Sequence, residues 1–286
     1  MTFCSRMSLE RREGAAGTAV RGEAYVLLPV DKRFWKESEL NTSWAGRAEL
    51  QAIRAARRSA IVVRLYDPPD ARDAAHPIFV HLAPGRTRPP GLDELLAEFS
   101  ARGPVATPGP QLAVCTHGTR DRCCAKYGFS AWREALRLHA DGRSAFEPLQ
   151  TSHLGGDRFA ATGVVFPSGS MYANLDGPHL PDLLAAEAAG RIAPDHYRGG
   201  VFEPQLVQIV RAGLARQGLF NDLDVRLQVA RTEGDPDTAV VQAGAERFQV
   251  TLGHADVDFY GSCEDVAAGR ASKARRTIFL RAGALS

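Results

Sequence analysis

The side chains with the most chemistry in this 286-residue chain lie in two short runs, Cys115-Thr-His-Gly-Thr-Arg-Asp-Arg-Cys-Cys124 and His153-Leu-Gly-Gly-Asp157. Cys115 and Cys124 are nine positions apart, His153 and Asp157 four apart. Thiolate, imidazole and carboxylate are ligands for soft and borderline metals. If one fold gathers Cys115, Cys124, His153 and Asp157, they make a metal or iron–sulfur centre. Each alone has a plainer reading. A Cys on an apolar strand is a small buried hydrophobe, which is also how Cys4 and Cys263 read. A single His caps or fills a core, and Asp157 caps the turn at Arg158-Phe159.

The flanking pattern decides whether they can meet. Gln111–Cys115 reads as a strand and 124–140 as a helix with Phe129, Trp132 and Leu136 on its apolar face. Phe146–Ser152 reads as the next strand. Cys115 and His153 then end two strands, and Cys123 and Cys124 open a helix. Helix N-terminal N–H groups favour thiolate, and Arg120 and Arg122 add positive charge. Gly155 and Gly156 leave the following turn bare, so backbone N–H groups can approach sulfides or an anion.

Upstream, Gly22–Val30, Ala60–Asp67 and Pro77–Ala83 read as strands. Helices are predicted over 46–57 and over a segment with Leu92, Leu95, Leu96 and Phe99 at helical spacing. Residues 1–21 are polar and expected to be loosely held. Gly103–Pro110 (GPVATPGP) reads as a linker. Beyond it a hairpin across Ser168-Gly169 (163–167 with 171–175) and helices over 180–190 and 203–217 follow. Short strands are predicted at 225–230, 239–242, 247–252 and 278–280. The order β-α-β-β-α thus runs twice, the second time with an extra strand. We read an α/β fold of two tandem thioredoxin-like units, 1–105 and 106–219, with a small β-rich C-terminal extension, 220–286.

Composition narrows the function classes. Hydrophobic residues are 44%, charged residues 24% and the formal net charge is +2. That is ordinary for a globular chain, with no field that selects nucleic acid or an anionic membrane. No apolar run approaches the ~20 residues of a membrane span, and no secretory signal is read at the N-terminus. Five cysteines in 286 residues are too few for a disulfide scaffold, so a reducing cytoplasm is expected. Phosphate-loop, dinucleotide and H-E-x-x-H motifs are absent. His76, His81, His139, His179, His196 and His254 read as surface or capping residues. Basic residues at 54, 57 and 58, and at 270, 273, 275 and 276, read as solvated faces or a docking patch for an acidic redox partner.

CTHGTRDRCC and SHLGGDRFAATGVVFPSGSMY resemble the signature blocks of the sucrase/ferredoxin-like family, specifically across 112–176 and more loosely across 1–110. The resemblance implies a thioredoxin-like ferredoxin domain behind a clusterless first half, with a [2Fe–2S] centre held by two Cys and two His. It maps the ligands onto Cys115, Cys124 (in preference to Cys123) and His153, and places Asp157 where family members have their second His. A carboxylate there is a harder ligand and lowers the potential. Arg120, Asp121 and Arg158 are expected to tune charge and orient ligands, although Arg120-Asp121 also reads as a plain ion pair. No positioned carboxylate pair supports glycoside hydrolysis. The expectation is an electron carrier with a redox partner protein rather than an enzyme. The alternatives are a structural zinc site on the same residues, a metal-free thiol oxidoreductase, which the absent C-x-x-C disfavours, and a scaffold that binds a partner.

Overall fold

The computed structural model describes residues 2–69, 75–83 and 85–285. The chain opens with helix α1 (Cys4–Glu10), strand β1 (Ala24–Pro29), helix α2 (Arg47–Arg58), strands β2 (Ile61–Tyr66) and β3 (Ile78–Leu82), helix α3 (Leu92–Phe99) and the short β4 (Val105–Ala106). It continues through β5 (Gln111–Cys115), α4 (Phe129–Ala140), β6 (Glu147–Thr151), β7 (Gly163–Phe166), β8 (Ser170–Tyr172), α5 (Leu180–Ala188), β9 (Tyr197–Gly200) and α6 (Gln205–Arg216). It ends with β10 (Leu227–Thr232), β11 (Asp235–Ala243), β12 (Glu246–Phe259), α7 (Cys263–Ala267) and β13 (Ser272–Ala284).

The first nine strands form one mixed sheet in the order β4-β3-β1-β2-β6-β5-β7-β8-β9. β1 runs parallel to β2 and antiparallel to β3; β5 runs parallel to β6 and antiparallel to β7. Three strands outward from the β2/β6 seam, both sides read the same. The seam is narrow: Tyr66 pairs with Thr151, Asp67 N–H donates to the Gln150 carbonyl (3.0 Å) and Ser152 N–H to the Leu65 carbonyl (2.8 Å). The inner strands are buried on both faces, which is why IVVRLY and QLAVC read as nearly unbroken apolar runs.

The helices cover the sheet with the faces their spacing dictates. α2 buries Leu50, Ile53 and Ala56, and α3 buries Leu92, Leu95, Leu96 and Phe99. α4 departs from its expected face. It buries Ala131, Ala135 and Leu138, while Phe129 and Leu136 are exposed. The cause lies just before it, where Cys124–Gly128 form a π turn that rotates the helix relative to a continuous α-helix begun at 124. Gly128 presses on the strand end: a Cβ there would lie 1.9 Å from the Cys115 carbonyl oxygen.

α6 lies between the large sheet and a second, antiparallel sheet, β10-β11-β12-β13. Ala212 and Ala215 face the first, and Ile209, Val210 and Leu214 pack on Leu227, Val241, Phe248 and Val250 of the second. β10 has the expected length, but β11, β12 and β13 are far longer than expected, and the β12–β13 hairpin carries α7 at its tip. That hairpin reaches the N-terminal segment, where Arg276 pairs with Glu13 (3.0 Å). Residues expected to be loose are therefore held: α1 buries Cys4, Ser5 and Ser8. Among the described residues no helix is long and apolar enough to cross a membrane.

Candidate metal centre

Parallel pairing brings the site together. Cys115 is in register with Thr151, and Thr116 N–H continues the ladder to the Thr151 carbonyl (3.1 Å). The chains leaving β5 and β6 therefore emerge side by side at the carboxyl ends of neighbouring parallel strands, where α/β sheets place their sites. The π turn returns Cys124 to the same point. Cys115, Cys124 and His153 offer ligand atoms all within 4.8 Å of one another. Asp157 joins them, with Oδ1 3.5 Å from Cys124 Sγ and 3.1 Å from His153 Nδ1. The His153–Asp157 contact has ion-pair distance but not hydrogen-bond direction, and Nδ1 is buried without a hydrogen-bond partner.

The environment favours charge separation. The hydrogen bond from Cys124 and the His153 imidazole hold Cys115 well below the ordinary thiol range, against its burial. Cys124 moves the other way, raised well above that range by its bond to Cys115 and by burial. Burial pulls His153 down, but Asp157 and Cys115 outweigh it and raise the imidazole to about 9. Both shifts favour the charged forms, thiolate at Cys115 and imidazolium at His153. Cys115 and Cys124 are 1% exposed, whereas the His153 side chain is 23% exposed and lines an open cavity of about 370 Å³ with Arg21, Arg57, Arg64 and Glu39.

The other expected residues do different work. Gly155 and Gly156 both have positive φ, but the space beside Gly156 is filled by the guanidinium of the buried Arg198, within 2.6 Å of where a Cβ would stand. Arg198 donates to the Gly155 carbonyl (2.8 Å) and the Thr18 carbonyl (2.6 Å), and burial pulls it down to about 10. Arg158 turns away to pair with Glu13 (2.7 Å) and stack on Phe159 and Phe259. Arg120 is exposed beside a separate cavity. Asp121 accepts from the N–H groups of Cys123 and Cys263, each at 2.7 Å, in place of an ion pair with Arg120.

Two features escaped the sequence reading. His117 Nδ1 accepts the His153 N–H (3.1 Å) and its Nε2 donates to the Lys36 carbonyl (2.6 Å), so this ring fixes the main chain of His153. Its place in CTHG beside Cys115 was the available signal. Second, Cys4, Cys123 and Cys263 are not solitary hydrophobes: with Asp121 they form another buried group. Burial raises Asp121 to about 6, and hydrogen bonds from Cys263 and Cys4 lower Cys123 to about 4. His81, expected at the surface, is buried and stacked on Phe166, and His179 and His196 stack on each other.

A family model described as sucrase/ferredoxin-like matches residues 16–199, more than half of the 286, and the chain belongs to that family. No curated protein and no solved structure matches the chain.

Proposed function

We propose that this member of the sucrase/ferredoxin-like family is an electron carrier built around a [2Fe–2S] centre held by Cys115, Cys124, His153 and Asp157. The carrying observation is that two thiols, an imidazole and a carboxylate meet at the ends of adjacent parallel strands, inside the family-matched region. The donor set fits the group. His153 Nδ1 is a buried nitrogen without a hydrogen-bond partner, 3.1 Å from Asp157 Oδ1. Two donors on one tetrahedral ion with bonds of about 2.0–2.1 Å sit about 3.3 Å apart. His153 and Asp157 therefore suit one iron and the two thiols the other.

Bound there, the centre would supply one-electron transfer at a potential that imidazole raises relative to an all-thiolate centre, and that the anionic carboxylate keeps below that of a two-histidine centre. The protein's own residues do the rest. Burial keeps water from Cys115 and Cys124. His117 holds the His153 main chain, and Lys32 anchors the strand ends through Thr116 Oγ1 (2.9 Å) and Gln150 Oε1 (2.7 Å). His153 is the exposed edge, so an acidic redox protein docks over it, against Arg21, Arg57 and Arg64. The five free, buried cysteines suit a reducing cytoplasm. In this reading the chain comprises a clusterless thioredoxin-like unit (1–105), a thioredoxin-like ferredoxin unit (106–219) and the C-terminal extension (220–286).

One observation favours a second reading, a single zinc ion on the same residues: atoms of Cys115, Cys124 and His153 all within 4.8 Å suit one ion. Iron, acid-labile sulfide and zinc, measured on anaerobically purified protein, separate the two. Two irons and two sulfides per chain, lost in Cys115→Ala, support the electron carrier. Colourless protein whose zinc is lost in Cys115→Ala supports the zinc reading, and protein that binds neither after reconstitution leaves the scaffold.

A further inference from the structure

We infer that Cys4, Cys123, Cys263 and Asp121 form a second metal site, for a single zinc ion, separate from the centre proposed above. The three sulfurs stand 3.5 Å (Cys4–Cys123), 3.2 Å (Cys123–Cys263) and 3.7 Å (Cys263–Cys4) apart. Tetrahedral zinc with Zn–S bonds of about 2.3 Å places its sulfurs about 3.8 Å apart, close to this triangle. A disulfide needs one pair at about 2.05 Å and strands the third thiol beside the carboxylate. A polynuclear cluster spreads its terminal thiolates over several irons, which three mutually adjacent sulfurs do not match.

The carboxylate is placed to complete the tetrahedron. Asp121 Oδ1 and Oδ2 accept the N–H groups of Cys123 and Cys263, each at 2.7 Å, which fixes the group beside two of the thiols and leaves each oxygen a free lone pair. An Asp121 oxygen and the three sulfurs lie within 4.8 Å of one another, and all four residues are buried. Ser5 Oγ donates to Cys123 Sγ (3.3 Å), an outer bond of the kind that orients metal ligands. A cavity of about 350 Å³ lined by Asp121 and Cys263 gives an ion access.

Four protein donors leave no open position, which is the mark of a structural ion. The ligands come from α1, the loop before the π turn and the hairpin tip at α7. Cys4 and Cys263 both lie outside the family-matched residues 16–199. The ion thus ties segments on both sides of the family-matched region to Asp121 and Cys123 within it, next to Cys124.

Zinc content and zinc-edge X-ray absorption of the full chain test this. The expected result is one zinc per chain that is lost in Cys4→Ala and Cys263→Ala and kept in Cys115→Ala. In wild-type and Cys115→Ala protein the zinc shows three sulfur neighbours and one oxygen. The absorption measurement needs neither terminal-cysteine variant to fold. Zinc retained in both terminal variants, a two-sulfur, nitrogen-containing shell, or protein that takes up no zinc with its thiols reduced each overturns the proposal. So does a disulfide between Cys123 and either partner in metal-free protein.

Discussion

Two of the parallel strand pairs of the large sheet, β1/β2 and β5/β6, end differently. In the first, the last paired residues are Pro29 and Tyr66; in the second they are Cys115 and Thr151. Beyond the first pair come Asp67-Pro68-Pro69, with Asp67 accepting the Lys32 N–H (2.8 Å), a bond that ties the exits of β1 and β2 together. Beyond the second come Thr116-His117 and Ser152-His153. The same strand geometry thus provides two mouths, and of these two only the second gathers thiols and an imidazole that could hold a metal ion. The first mouth has become the wall of the second. Trp35 packs edge-on against His117, the Lys36 carbonyl holds its Nε2, and Glu39 accepts from Ser152 Oγ (2.9 Å).

The sharpest way to break this contrast is to delete matched groups. Cys115→Ala or Cys124→Ala is expected to abolish bound iron, while Asp67→Ala leaves iron per chain unchanged and costs about 1 kcal/mol in denaturant unfolding. Equal iron loss in Asp67→Ala would erase the distinction between the mouths. The glycines preceding the helices make a second pair. Gly128→Ala drives a methyl into the Cys115 carbonyl and is expected to cost about 3 kcal/mol. Gly46→Ala, with its nearest neighbour 3.8 Å away, should cost less than about 1 kcal/mol. Thermal unfolding of both proteins measures the difference.

His117→Ala leaves the His153 N–H and the Lys36 carbonyl without their partners. It should cost about 1–3 kcal/mol, with iron content reduced less than in Cys115→Ala. The smallest effect is protonic. In metal-free protein the His153 imidazole is expected to titrate near 9, above its ordinary 6.5. A raised pKa means that its stabilisation is full below pH 6.5 and lost as pH rises through about 9. Asp157→Asn removes the carboxylate partner and should move this titration downward, read by NMR of the His153 ring.

Much of this was legible because local pattern and tertiary role agreed. Gln111–Cys115 was found to the residue as a buried apolar run, α3 announced itself by Leu92, Leu95, Leu96 and Phe99, and Cys115, Cys124 and His153 come together with Asp157 against Cys124 and His153. The failures are cases where distant contacts override local signal. α1 is short and polar, and Cys4 is buried only because a hairpin 259 residues away carries Cys263 to it. Tyr197–Gly200 has no strand pattern and is a strand because β8 pairs with it. Phe129 and Leu136 looked like the buried face of α4 because no composition rule announces a π turn. Gly155 and Gly156 were correctly marked as special, but their partner is Arg198, more than forty positions on.

The most direct test of the central claim is electron paramagnetic resonance of the reduced protein labelled with ¹⁵N-histidine. The account predicts a [2Fe–2S] signal coupled to the nitrogen of a single histidine, the coupling vanishing in His153→Ala. A signal with no histidine coupling, coupling to two histidines, or the absence of any cluster signal after reconstitution would contradict it.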